Sequence, residues 1–269
     1  MQIIEYFGLP YSGKSFYTNL CKRYLKNEKL VDSKLIFYQF LLKNKKINKF
    51  QYVLLKLKNK FKENINKNKF YSRQTDSINH NKKKIFKKIR RKLFFKNFFK
   101  ISRENFKLFN LSKKKYSNFY EICIHLIELE NLKSRKKDLR RWLVEELNAI
   151  FIAKNIESEG ILVISEGFVQ RIHSYFLNKK ELDIEIIKKY IENIPVSDHV
   201  FFVKSEVQSI KKRLMHNNKF DKEKFYLDNL DNMNNKMKGI FKLAQAKMLI
   251  DIVNDKNSFI ECLNRKFFK

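Results

Sequence analysis

Glycine and proline are scarce in this chain: five and two among 269 residues. Cysteine is nearly as rare. Cys21, Cys123 and Cys262 stand alone without paired spacing, which excludes a disulfide framework or a zinc site and fits a reducing cytoplasm, the expected location. No apolar run approaches the ~18 residues of a membrane-spanning helix, so no span is expected. The amino terminus lacks a basic region followed by an apolar stretch and a small-residue cleavage site, so no secretory signal is expected. No period of about 20 to 50 residues recurs, which excludes a solenoid. Acidic residues are also short: 28 against 59 Lys and Arg, a formal charge of +31.

A hydrophobic fraction of 43% supports one sizeable core and is too high for a disordered chain. The positive charge would attract phosphate backbones. It has a simpler source, because Lys, Asn, Ile and Phe are abundant while Gly, Pro, Ala and Arg are scarce, as an AT-rich coding sequence produces. Lysine also far outnumbers arginine, whereas readers of nucleic acid lean on arginine forks. A nucleic-acid partner is therefore not favoured. The charge is concentrated: residues 31–120 hold 27 Lys and Arg against Asp32, Glu63, Asp76 and Glu104. Within this stretch "NKKKIFKKIRRKLFFKNFFK" (81–100) spaces Phe and Ile among lysines at helical intervals, predicting basic amphipathic helices.

Against this glycine-poor background, "YFGLPYSGKSF" (6–16) holds two glycines and one proline within eleven residues. Gln2 to Phe7 is an apolar run suited to a buried strand, and Lys14 to Asn27 has helical spacing. Between them Gly8, Leu9, Pro10, Tyr11, Ser12, Gly13, Lys14 and Ser15 fit G-x-x-x-x-G-K-[ST], the phosphate-binding loop. Each fixed position has a chemical reason. Glycines let successive backbone N–H groups curl around phosphate oxygens, Lys14 reaches the β and γ phosphates, and Ser15 ligates Mg²⁺. The helix that follows adds its positive dipole end. ATP and Mg²⁺ are the expected ligands.

In the second half, Ile161 to Ile164 predicts a buried strand ending in Ser165-Glu166-Gly167. A carboxylate at that end can manage Mg²⁺ or accept the proton of an attacking hydroxyl, the role expected of Glu166. Arg171, five residues on, is a candidate clamp for an acceptor phosphate or carboxylate. Arg140 and Arg141, beside Trp142, are weaker candidates for the same task. His173 reads as a helix-surface histidine. Asp198 to Val203 predicts a strand and Ser205 to His216 a helix capped by Ser205; Leu249 to Val253 predicts a last strand, followed by a turn and a helix from about Ser258. Alternating strands and helices imply an α/β fold with a parallel sheet covered on both faces, and ligands at the carboxyl ends of the strands. "NKFD" (218–221) spells a guanine-specificity motif, but it follows a charged helix rather than an apolar strand and reads as coincidence.

"GLPYSGKS", "SEGFVQR" and "IPVSDHVFFVKSEVQSIKKRL" together resemble the P-loop nucleoside and nucleotide kinases, with thymidylate-kinase-like and adenylate-kinase-like features. The resemblance implies a three-layer P-loop NTPase core over 1–30 and 140–269, with 31–139 as a mostly helical basic insertion serving as a lid or substrate region. It implies transfer of the γ-phosphoryl of ATP to a small anionic or hydroxyl-bearing acceptor, with Arg213 as the lid arginine acting beside Lys14 and Glu166. The chain departs from the pattern at Tyr11, where glycine is usual, and at Ser165, where aspartate is common. His216, Asn217, Asn218 and Lys219 also stand where a second lid arginine is expected. A nucleic-acid-associated ATPase and a nucleotide-binding regulator with negligible turnover are the alternatives.

Overall fold

The computed structural model describes residues 1–25, 30–47, 49, 52–53, 101–156, 159–175, 183–195, 197–216 and 220–267. Strand β1 (Gln2–Phe7) is the centre of a five-stranded sheet. β3 (Ile161–Ile164) and β4 (His199–Val203) flank it, with β2 (Leu30–Val31) and β5 (Ile250–Val253) at the edges, in the order β2-β3-β1-β4-β5. Every pairing is parallel, with Ile3 opposite Leu162 and Tyr6 opposite Phe201. A parallel sheet needs a crossover between successive strands, and helices supply it: α1 (Lys14–Tyr24), α2 (Ser33–Lys43), α3 (Ser117–Glu128), α4 (Lys133–Asn155), α5 (Phe168–Tyr175), α6 (Ile184–Asn193), α7 (Val207–His216) and α8 (Phe220–Gln245), with α9 (Lys256–Phe267) following the last strand. Residues 101–115 are helical as well.

The two-residue period of β1 sorts its side chains between two cores. Ile4 and Tyr6 join Tyr17 and Cys21 of α1 and Phe259 and Leu263 of α9 on one face. Ile3 and Phe7 join Leu147 of α4, Ile172 of α5 and Ile191 of α6 on the other. The expected arrangement, an α/β fold with helices on both faces of a parallel sheet, is what the chain adopts. Val31 of β2, Ile36 of α2, Leu108, and Phe119 and Ile127 of α3 belong to that second core. Parts of 31–139 are thus built onto the sheet, while Leu41 and Ile47 form a small separate cluster with Tyr52 and Ile101. The basic run 81–100 and its expected helices lie outside the described residues. Among the described residues no helix is long and apolar enough to cross a membrane.

Local chemistry sets the helix starts. Asp32 Oδ1 accepts the amides of Lys34 and Leu35 and opens α2. Asp255 Oδ1 does the same for Asn257 and Ser258, so α9 starts two residues before the Ser258 start read from sequence. The expected cap at Ser205 is corrected. α7 begins at Val207, the amide of Ile210 bonds to Glu206 O, and the Ser205 hydroxyl instead donates to Ser12 O at 2.7 Å.

From its carboxyl end β1 leads through α1 to β2 on one side of the sheet, while β4 leads toward β5 on the other. Adjacent strands whose exits diverge leave a crevice between them, the usual place for a ligand in such sheets. The Gly8–Ser15 loop sits at that point.

Candidate functional site

Loop 8–15 is held between α5, which follows β3, and the segment that ends β4. The Gly8 amide donates to Gln170 Oε1 of α5 at 2.8 Å. A Cβ at Gly8 would stand 2.5 Å from Val203 O at the end of β4, so only glycine lets the loop pass that close. Gly13 (φ +104) and Tyr11 (φ +61) take left-handed backbone conformations. For Tyr11 this costs about 1–2 kcal/mol. Its carbonyl, held at 2.9 Å by Nη1 of Arg213, shows what offsets the cost. The structure therefore brings Arg213 of α7 to the loop, and puts strain at the position where the resembling motif has glycine.

Lys14 turns back into its own loop. Nζ donates to Gly8 O at 3.0 Å and to Leu9 O at 2.8 Å, and the residue is 7% exposed. Burial pulls its pKa down to about 8, and the charge of Glu166 opposes that shift. A buried ammonium whose hydrogen-bond partners are two neutral carbonyls is incompletely compensated. Ser12 adds to the deficit: its Oγ is buried with no hydrogen-bond partner among the described residues. Phe16 and Tyr17 amides bond to Gly13 O, and Ser15 is exposed on the first turn of α1. The first amides of a helix have no acceptor within it, so this end favours an anion.

Glu166 follows β3, with its side chain 55% exposed and Oε2 3.4 Å from Nη1 of Arg171. Arg171 is buried in α5. Its Nε and Nη2 donate to Glu146 Oε1 of α4 at 3.0 and 2.7 Å, and its guanidinium lies 4.2 Å over the Trp142 ring. Two of its nitrogens and one face of the guanidinium are thus committed to α4, leaving Nη1 toward Glu166. Burial pushes Glu146 up to about 7 against the opposing pull of Arg171.

Arg140 and Arg141 are not brought to the loop by any described contact. They are exposed on α4, where Arg140 pairs with Glu128 and Arg141 with Asp138 at 2.9 Å. His173 is not the surface histidine expected. It is buried in α5, its Nε2 has no described partner, and burial, reinforced by the charges of Lys14, Lys236 and Arg135, lowers its pKa to about 4. The imidazole is neutral in the working range of pH. Pattern reading takes the side facing the charged residues as solvent, whereas all but one of the eight α5 side chains are inside.

Sequence reasoning missed Glu5, Glu146 and Gln170. Glu5 left a trace, being a charge at an inward position of the apolar run Gln2 to Phe7. Glu146 and Gln170 gave no signal, because only the packing of α4 and α5 brings them to Arg171 and Gly8. Among the described residues no group of three His, Cys, Asp or Glu could hold a metal on its own. No protein-family model, curated protein or solved structure matches the chain.

Proposed function

We propose that the chain binds ATP with Mg²⁺ at loop 8–15 and transfers the γ-phosphoryl group to a small acceptor. The observation that carries this reading is Lys14: a buried ammonium, short of negative charge, inside a glycine-bracketed loop that opens a helix at the crevice end of the central strand. Phosphate supplies what this loop lacks. Its oxygens replace the Gly8 and Leu9 carbonyls as acceptors for Lys14 and reach the unpaired Ser12 hydroxyl and the first amides of α1.

The donors fit Mg²⁺ only in company with phosphate. Ser15 on the first turn of α1 and Glu166 just past β3 offer a hydroxyl and a carboxylate, which suits an ion that keeps several waters and is completed by nucleotide oxygens. Bound there, Mg²⁺ neutralises charge on the phosphates. Glu166 has a second use. Its carboxylate is accessible and can take the proton of an attacking hydroxyl, while Nη1 of Arg171 keeps it oriented. Arg213, already on the Tyr11 carbonyl, brings a guanidinium to the mouth of the loop, where charge develops during transfer.

Arg171, bound to Glu146 and stacked on Trp142, is better suited to hold Glu166 than to clamp an acceptor. An acceptor screen that follows ATP consumption, with nucleosides, nucleoside monophosphates, small alcohols, DNA and RNA as separate arms, tests the reading. Turnover that depends on one small acceptor supports it. Hydrolysis stimulated only by DNA or RNA replaces it with a nucleic-acid ATPase.

A further inference from the structure

We propose that Glu5, three residues before the loop on the central strand, is the positioning residue that fixes the Glu166–Arg171 segment against the Gly8–Ser15 loop. Glu5 occupies an odd position of β1, so its side chain enters the core shared with α4, α5 and α6, where Ile3 and Phe7 also lie. It is 1% exposed. A carboxylate in such a place is costly unless its oxygens are used, and both are. Oε1 accepts the amide of Val169 in the first turn of α5 at 2.6 Å, and Oε2 accepts the Ser197 hydroxyl, just ahead of β4, at 3.0 Å.

The residues next to that anchor do the work of the site. Val169 is held by Glu5; Gln170 receives the Gly8 amide; Arg171 reaches Glu166 on one side and Glu146 on the other. One buried carboxylate thereby sets the position of three consecutive residues, two of which touch the loop or the exposed acid. Gly167 records the same constraint from the other direction. A Cβ there would lie 2.3 Å from Cδ and 2.6 Å from Cγ of Glu5, so the turn after Glu166 can approach β1 only without a side chain. The three heavy atoms nearest to that position, Cδ, Cγ and Oε1, all belong to Glu5.

This assignment rests on the phosphotransfer reading for its kinetic consequence, but the tie itself is measurable without nucleotide. In the full chain, Glu5→Ala removes the acceptor of the Val169 amide. Hydrogen exchange is expected to speed at least about tenfold in peptide 166–175 while peptides from α9 keep wild-type protection. With ATP and acceptor present, kcat should fall about 10²-fold, as for a misplaced catalytic group, with ATP affinity changed less than about threefold. Glu5→Gln keeps an oxygen for Val169 and offers its NH₂ to Ser197, so it should restore both protection and kcat to within about tenfold. If Glu5→Ala does not fold, Gly167→Ala carries the test, since its new Cβ displaces the same carboxylate, and it should speed the same exchange. Wild-type exchange across 166–175 in Glu5→Ala or Gly167→Ala overturns the assignment. Absence of ATP binding by the wild-type chain would overturn the phosphotransfer reading instead, leaving the exchange result to decide the tie.

Discussion

The ammonium of Lys14 and the carbonyl oxygen of Gly8 lie 3.0 Å apart, so the loop's own backbone occupies the cation that a phosphate would claim. That relationship carries a pH dependence. Burial lowers the Lys14 pKa to about 8, and a bound polyanion raises it again, so above pH 8 binding must take up a proton. ATP affinity should be flat below about pH 7.5 and fall as pH climbs past 8. Calorimetry in buffers of different ionisation enthalpy would register the proton as a buffer-dependent heat at pH 8.5 that vanishes at pH 7.

Glu166 is exposed and its described hydrogen bond is to Arg171, so removing its charge should leave packing intact. Glu166→Gln is expected to keep the wild-type melting temperature and nucleotide affinity while slowing phosphoryl transfer roughly 10²- to 10⁴-fold, the range for a lost acid–base group. A single-turnover assay gives the rate. Transfer at the wild-type rate would move the proton-accepting role elsewhere.

Arg171 and Glu146 form a buried ion pair, and the loss of one partner strands the other. Arg171→Met should destabilise the chain by about 3–5 kcal/mol, measured by denaturant unfolding, because Glu146 would be left buried without its partner. Adding Glu146→Gln should recover part of that loss. A double variant as unstable as the sum of the two singles would show that the pair is not coupled.

Glu5 makes stability depend on pH in a defined direction. Its carboxyl is raised from near 4.5 to about 7, chiefly by burial, with the amide of Val169 and the hydroxyl of Ser197 opposing. Between those values the folded chain keeps a proton that the unfolded chain has released, so stability is full below about pH 4.5 and declines as pH rises toward 7, by about 3 kcal/mol for this group. Glu5→Gln should flatten that part of the profile. Melting temperatures at half-unit steps from pH 4.5 to 8 test it, and an unchanged slope in Glu5→Gln would assign the dependence to other groups.

What the sequence made legible follows from how local each signal is. The Gly8–Ser15 loop and the strand leading to Ser165 and Glu166 could be read because spacing within a few residues defines them, Arg213 was singled out by the family resemblance alone, and all three meet at one end of the sheet. Alternating elements likewise predicted the parallel sheet. The interior of the site was less legible. Arg171 read as an acceptor clamp because its partners, Glu146 and Trp142, are 25 and 29 residues away and reach it only through the packing of α4 on α5. His173 was misplaced for the same reason. Ser205 has the right residue type for a cap, yet its hydroxyl is taken by a loop almost two hundred residues earlier. Such choices are made by tertiary contact, to which local propensity is blind.

The central claim is that loop 8–15 holds the phosphates of a nucleotide through Lys14. Titration calorimetry of ATP·Mg²⁺ into the wild-type chain and into Lys14→Ala at pH 7 tests it most directly. The account predicts saturable one-to-one binding by the wild type and its loss in the variant, with the two melting within a few degrees of each other. Equal ATP affinity in both, or no binding by the wild type, would contradict it.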